Sequence, residues 1–166
     1  MTETRRVGLG FDTHPRDDDR LLYLAGVLFS GEPGLSGHSD ADVVCHAIGD
    51  ALLGAAALGD LGEHFPDDDP AFAGLGGLDL LGRVVALLGG AGFVPVSCDA
   101  TLIAERPHIA ERRDEMRSNL AKTLGVEVDA VSLKATRPEG LGLAGDGAGC
   151  LAIATVDGES VPVVSG

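Results

Sequence analysis

The chain has 166 residues and a formal charge of −14, from 12 Lys and Arg against 26 Asp and Glu; 45% of it is hydrophobic and 4% aromatic, with no Trp. That length suits one domain able to bury about two-thirds of its unfolded surface without disulfide staples. The charge argues against duplex DNA or an anionic membrane as partner, and the scarcity of aromatics against a base-stacking platform, while an anionic small molecule stays open where bound metal reverses the local sign.

Val7, Leu9 and Phe11 alternate with smaller residues and predict a first strand ending at Asp12-Thr13-His14. An acidic turn follows over residues 15–20, then a short strand over 21–24 and a Gly/Pro loop over 31–37. Ser39 reads as a helix N-cap with Asp42 as its capping-box partner. The helix is expected to reach about Leu58, with Val43, Ala47, Ala51 and Ala55 at helical spacing. Residues 63–77 read as a loop, and 78–88 as a weaker helix. A long strand is predicted over 93–104, and a third helix with Pro107 near its start ends about Leu124. Residues 131–136 are a strand, 140–149 a glycine loop and 150–156 the last strand, with a frayed polar tail after Asp157. This mixture of strands and helices suggests a single sheet covered by helices, and the pattern does not fix the strand order.

The three cysteines lie far apart, form no CxxC pair and are odd in number, which predicts buried free thiols in a reducing compartment. No leader-like or membrane-spanning apolar run is present, so a cytoplasmic location is expected.

The sharpest chemical feature is Asp12-Thr13-His14, because positions i and i+2 of a strand share a side and can share a metal ion. On the following helix Asp42, His46 and Asp50 form one stripe, costly to bury unless something binds it. Asp12, His14 and His46 would make a three-ligand site with an open position, the habit of catalytic zinc, and Asp50 is a candidate partner for His46. His38-Ser39 precedes the helix and could meet a phosphate there, or Ser39 could simply cap it. The literal GxGxxG at 140–145 runs into a strand rather than a helix, which excludes a dinucleotide fingerprint. The aspartate runs 17–19 and 67–69 lack EF-hand spacing.

Taken together, GFDTH (10–14), GHSDADVVCHAIGDALLGAAALGDLGEHFPDDDP (37–70), ERP (105–107) and KATRPEGLGL (134–143) resemble the 2-C-methyl-D-erythritol 2,4-cyclodiphosphate synthase family. The resemblance covers residues 7 to about 156. It implies cyclisation of a CDP-linked methylerythritol phosphate with release of CMP. It implies zinc on Asp12, His14 and His46, and a phosphate contact from His38 and Ser39. Asp60 and Gly62 match positions for the methylerythritol hydroxyls, and residues 65–69, with Phe65, Asp67 and Asp69, match a flap beside them. Ala104, Pro107, Ala135 and Thr136 match the cytidine and diphosphate segments, and Glu139 a Mg2+ or Mn2+ position. An α+β fold, a single mixed sheet with helices packed on one face, is implied as well, assembled as a homotrimer around a three-fold axis with active sites between subunits.

The chain departs from the family pattern at three places. Arg137 stands where a second threonine, tied to transition-state stabilisation, is usual; a cationic fork there either replaces the hydroxyl or points away. Asp146 stands where an arginine facing the trimer's central cavity is common, so weak or no binding of isoprenoid diphosphate is expected there. His108 replaces a common lysine beside the cytidine pocket. These departures leave a non-catalytic nucleotide- or partner-binding trimer, and a metal-dependent phosphohydrolase, as alternatives to an active synthase.

Overall fold

The computed structural model describes residues 3–142 and 144–159. Its elements are β1 (Glu3–Asp17), β2 (Tyr23–Leu24), β3 (Val27–Leu28), β4 (Gly34–Leu35), α1 (Val43–Ala56), α2 (Leu61–His64), α3 (Gly77–Gly90), β5 (Phe93–Ala104), α4 (Arg113–Leu124), β6 (Val131–Thr136) and β7 (Gly147–Glu159). Five strands form one mixed sheet in the order β4-β1-β7-β5-β6, and β2-β3 is a separate hairpin. β7 is antiparallel to both β1 and β5, while β5 and β6 run parallel, joined through α4. The helices cover one face, as expected for an α+β fold.

Small residues set how α1 meets that face. Gly8, Gly10, Asp12 and His14 pair with Ala154, Ala152, Cys150 and Ala148, and all eight are at least half-buried. A Cβ on Gly8 would lie 2.0 Å from the Ala51 carbonyl oxygen, and one on Gly10 1.9 Å from that of Ala47. Only glycine permits this approach, and it presses the Ala47–Ala51 stripe of α1 directly onto the backbone of β1. The apolar set that announces the strand looks the other way: Val7 is 66% exposed and Leu9 64%. Phe11, Leu151 and Ile153 share that uncovered face. The core lies between the helices and the covered face, and includes Ile48, Leu52, Leu81, Val84, Leu102 and Leu120.

Several boundaries differ from expectation. β1 continues past His14 to Asp17, because its ladder with β7 extends to Pro15↔Gly147 and β4 then pairs with Arg16 and Asp17. For the same reason β7 begins inside the expected glycine loop. The expected loop over 63–77 carries the end of α2 and a 3-10 turn at Pro70–Phe72. The third helix starts at Arg113, six residues after Pro107, whose peptide bond to Arg106 is cis. Of the tail expected to fray, residues 158–159 belong to β7 and the rest lies outside the described residues, as does Leu143.

The cap of α1 is Asp42, not Ser39: its carboxylate accepts the Cys45 N–H at 3.1 Å. The same carboxylate accepts from Ala25 and Gly26 at 2.9 and 2.8 Å. Those two residues turn the β2-β3 hairpin with φ of 49° and 73°. Asp42 is therefore turned away from the stripe it was expected to share with His46. Burial, and the nearby Asp40, push its carboxyl up from the usual range. The three cysteines are free and buried, as expected. No helix among the described residues is long and apolar enough to cross a membrane.

Candidate active site

β1 and α1 together bring the three predicted metal ligands to one point. His14 Nε2 lies 2.9 Å from Asp12 Oδ2, His46 Nδ1 lies 3.1 Å from the same oxygen, and the two ring nitrogens are 3.2 Å apart. Asp12 and His14 share a side because they are two apart on a strand. His46 reaches them because Gly10 lets α1 settle against β1 at Ala47, the residue next to His46.

The outer nitrogens of both rings are engaged. His14 Nδ1 donates to the Ser36 carbonyl at 2.7 Å; a carbonyl can only accept, so in the neutral ring Nε2 carries the lone pair. His46 Nε2 pairs with Ser39 Oγ at 3.0 Å, which leaves Nδ1 facing Asp12. Burial raises the Asp12 carboxyl, but hydrogen bonds to the two imidazoles outweigh it and hold the group well below the usual carboxylate range. Burial lowers His14, yet Asp12 more than compensates and leaves it above its ordinary value. Three lone-pair donors this close repel one another unless a proton or a cation sits among them. With ligand atoms all within 4.8 Å of one another, the donor set fits one divalent ion.

The cluster opens into a cavity of about 360 Å³. His38, Ser39, Gly62, Phe65 and Asp67 line it with the metal ligands, so most of the predicted site converges. Asp50 lines it too, but its Oδ1 accepts the Leu61 N–H at 2.8 Å rather than meeting His46, and burial raises its carboxyl. Two predicted residues turn out to hold the backbone. Asp60 caps α2 through the Glu63 N–H at 3.0 Å, and Asp69 caps the 3-10 turn through the Ala71 N–H at 2.9 Å. Neither lines the cavity in this chain.

Ala104, Pro107, Ala135, Thr136 and Arg137 line a second cavity of about 180 Å³, separate from the first. Glu139 lines neither; it sits exposed in the following loop with φ of 51°. One chain therefore carries two groups of candidate residues that do not meet.

The residue reading missed Arg20, Phe72 and Leu61. Arg20 donates through both terminal nitrogens to the carbonyls of Gly37 and Ser39, and so fixes the segment that carries His38. It closes an acidic turn, and no local pattern marks it. Phe72 packs edge-on to Phe65 at 5.3 Å and walls the cavity with Leu61. The rarity of aromatics in this chain was the available signal for Phe72.

Comparison with known proteins gives a consistent picture. The YgbB family model matches residues 5–157. The 2-C-methyl-D-erythritol 2,4-cyclodiphosphate synthase of Trichlorobacter lovleyi is 52% identical over 151 residues, 91% of this chain and 96% of that one. A solved 2C-methyl-D-erythritol-2,4-cyclodiphosphate synthase in its CDP-bound form superposes with a TM-score of 0.84 at 32% identity, over 92% of this chain and 100% of that one. The bifunctional IspDF from Campylobacter jejuni superposes with a TM-score of 0.89 at 35% identity; the match covers 96% of this chain and 44% of that longer one.

Proposed function

The chain belongs to the YgbB family of 2-C-methyl-D-erythritol 2,4-cyclodiphosphate synthases, and on that footing we propose how its residues carry out the reaction. It is a phosphorus–oxygen lyase of non-mevalonate isoprenoid synthesis. The 2-phosphate of 4-diphosphocytidyl-2-C-methyl-D-erythritol 2-phosphate attacks the β-phosphorus of the same molecule. A new P–O bond closes the ring, the bond from the β-phosphorus to the bridging oxygen breaks, and CMP leaves with that oxygen. The nucleophile is already anionic, so no Ser or Cys nucleophile is needed. Positioning and charge neutralisation carry the rate. The observation that bears most weight is the convergence of Asp12, His14 and His46 at the mouth of a cavity that also holds His38 and Ser39.

Asp12, His14 and His46 would hold zinc, which when bound supplies Lewis-acid neutralisation of the crowded phosphates. The single exposed carboxylate of Glu139 suits Mg2+ or Mn2+, which take one or two carboxylates and fill the rest from phosphate and water. His38 and Ser39 contact the phosphate brought to the metal ligands. Gly62 takes the methylerythritol hydroxyls with Asp60, whose second carboxylate oxygen is left over from its cap; Phe65 and Asp67 flank them, and Asp69 holds the turn that follows. Ala104, Pro107, Ala135 and Thr136 receive the cytidine diphosphate end, and Arg137 stands beside them.

The assembly proposed is a homotrimer in which one subunit's metal cavity faces its neighbour's nucleotide cavity. Two observations support it: the cavities do not meet within a chain, and the helix-free face leaves Val7, Leu9, Phe11, Leu151 and Ile153 exposed. Contiguous exposed apolar surface of this kind marks an interface. Asp146 lines a third cavity with Thr13, Pro15 and Ala144. Three copies around a trimer axis would repel an isoprenoid diphosphate. Submillimolar binding of farnesyl diphosphate by calorimetry, lost on mutating the cavity wall, would overturn that last point.

The reaction is tested by incubating the protein with the CDP-linked substrate, zinc and magnesium, and recording phosphorus NMR. Cyclic diphosphate with stoichiometric CMP is expected. Inorganic phosphate would indicate a phosphohydrolase, and unchanged substrate with a zinc-loaded trimer would indicate a binding protein.

A further inference from the structure

Two arginines, Arg113 and Arg137, line the nucleotide cavity. Among the described residues, Nε of Arg113 is the buried side-chain nitrogen or oxygen left without a hydrogen-bond partner. Arg113 opens α4 and lines this cavity. Arg137 lines it as well, and among the described residues neither guanidinium is in a salt bridge. The desolvated donor is Arg113 Nε, while Arg137 is exposed; a buried donor without an acceptor is unfavourable, so the cavity suits a ligand that brings acceptors.

Arg137 is not loose. Its Nη2 lies 3.0 Å from Nε2 and 3.3 Å from Nδ1 of His108. Near-equal distances to both ring nitrogens describe a contact shared between them rather than one in-line hydrogen bond. Arginine only donates, so what His108 offers is a ring-nitrogen lone pair. The contact holds the guanidinium at the cavity wall with its other donors free. Behind it, Ala104, Pro107, Ile109 and Ala135 give the same cavity an apolar side.

We propose that Arg137 is the specificity-determining residue for the phosphate end of the bound nucleotide, with His108 as its positioning residue. The apolar wall takes the nucleoside, and the planar fork of Arg137 reads phosphate oxygens, which it matches better than a point charge does. This rests on the nucleotide reading above and deepens it: the nucleoside phosphate is selected by a side chain rather than by metal alone.

The test is calorimetric titration of the assembled protein with CDP and, separately, with cytidine, in magnesium. Arg137→Ala is expected to weaken CDP by about ten-fold or more while changing cytidine by less than about two-fold. Arg137→Lys should recover part of the loss. His108→Ala should weaken CDP by less than Arg137→Ala does, again sparing cytidine. Added to Arg137→Ala it should cost nothing more, because it acts through Arg137. Equal losses for CDP and cytidine, or no loss for either, would overturn the assignment to phosphate. A full additional loss in the double variant would overturn the positioning role of His108. If the parent protein binds neither compound, the nucleotide reading itself fails and the inference goes with it.

Discussion

Gly10 lies so close to Ala47 that a Cβ on it would stand 1.9 Å from the Ala47 carbonyl oxygen, and the residue just before Ala47 on α1 is His46, the third ligand of the metal cluster. Packing and chemistry are thus set by the same contact.

Gly10→Ala is therefore expected to damage both. The added methyl meets backbone rather than a movable side chain, and overpacking of this kind costs about 3 kcal/mol. Urea denaturation should report that loss. Metal content by mass spectrometry should fall with it, because α1 must lift and carry His46 away from Asp12. A variant with full stability and full metal content would show that α1 is not seated as described.

His14→Ala and His46→Ala test the cluster without disturbing that contact. Each is expected to abolish turnover and metal retention while the circular dichroism spectrum and assembly state remain those of the parent. The ligands serve chemistry more than the core, since two of the three, Asp12 and His14, are only half-buried. Full activity of either variant after chelation would remove the metal assignment.

Asp42→Ala tests the cap. The substitution strands the N–H groups of Ala25, Gly26 and Cys45, at a site with no solvent exposure. Each buried donor left without an acceptor costs about 1–3 kcal/mol, so an overall loss of about 3 kcal/mol or more is expected in urea denaturation. Activity per folded molecule should stay near that of the parent, because the carboxylate faces the hairpin and not the cavity.

Ala57→Gly is expected to stabilise. Ala57 follows α1 in the left-handed region, with φ of 58°, and is exposed. A side chain there is disfavoured by about 1–2 kcal/mol, partly offset by the entropy that glycine loses on folding. A gain of about 0.5–1 kcal/mol in chemical denaturation is the expected result, with activity unchanged. A loss of stability would mean the αL cap does not form.

Much of the site was legible in the residues. Asp12 and His14 could be paired by strand parity alone, and His46 offered itself through the Ala47, Ala51 and Ala55 spacing of its helix. The helix start offered His38 with Ser39, and the family resemblance added Gly62, Phe65 and Asp67, all of which line one cavity. The stripe of Asp42, His46 and Asp50 misled, because helical periodicity gives the face of a residue and not its partner. Asp42 is the residue before the first helical turn, where a carboxylate finds free N–H groups and turns toward them. Ser39 lost the cap to it and was left to pair with His46.

Local pattern alone pointed to one sheet covered by helices, to the strands β1 and β5 and to a shared side for Asp12 and His14, because strand parity, helical spacing and turn residues are properties of neighbours along the chain. Which face of β1 is covered was a tertiary decision. Val7, Leu9 and Phe11 are the apolar set, yet the helix lies on the glycine side, where backbone can approach backbone, and the larger side chains are left facing outward. The separation of metal and nucleotide cavities was decided the same way. It depends on how β5, β6 and α1 share the sheet, and no short-range signal carries that distance.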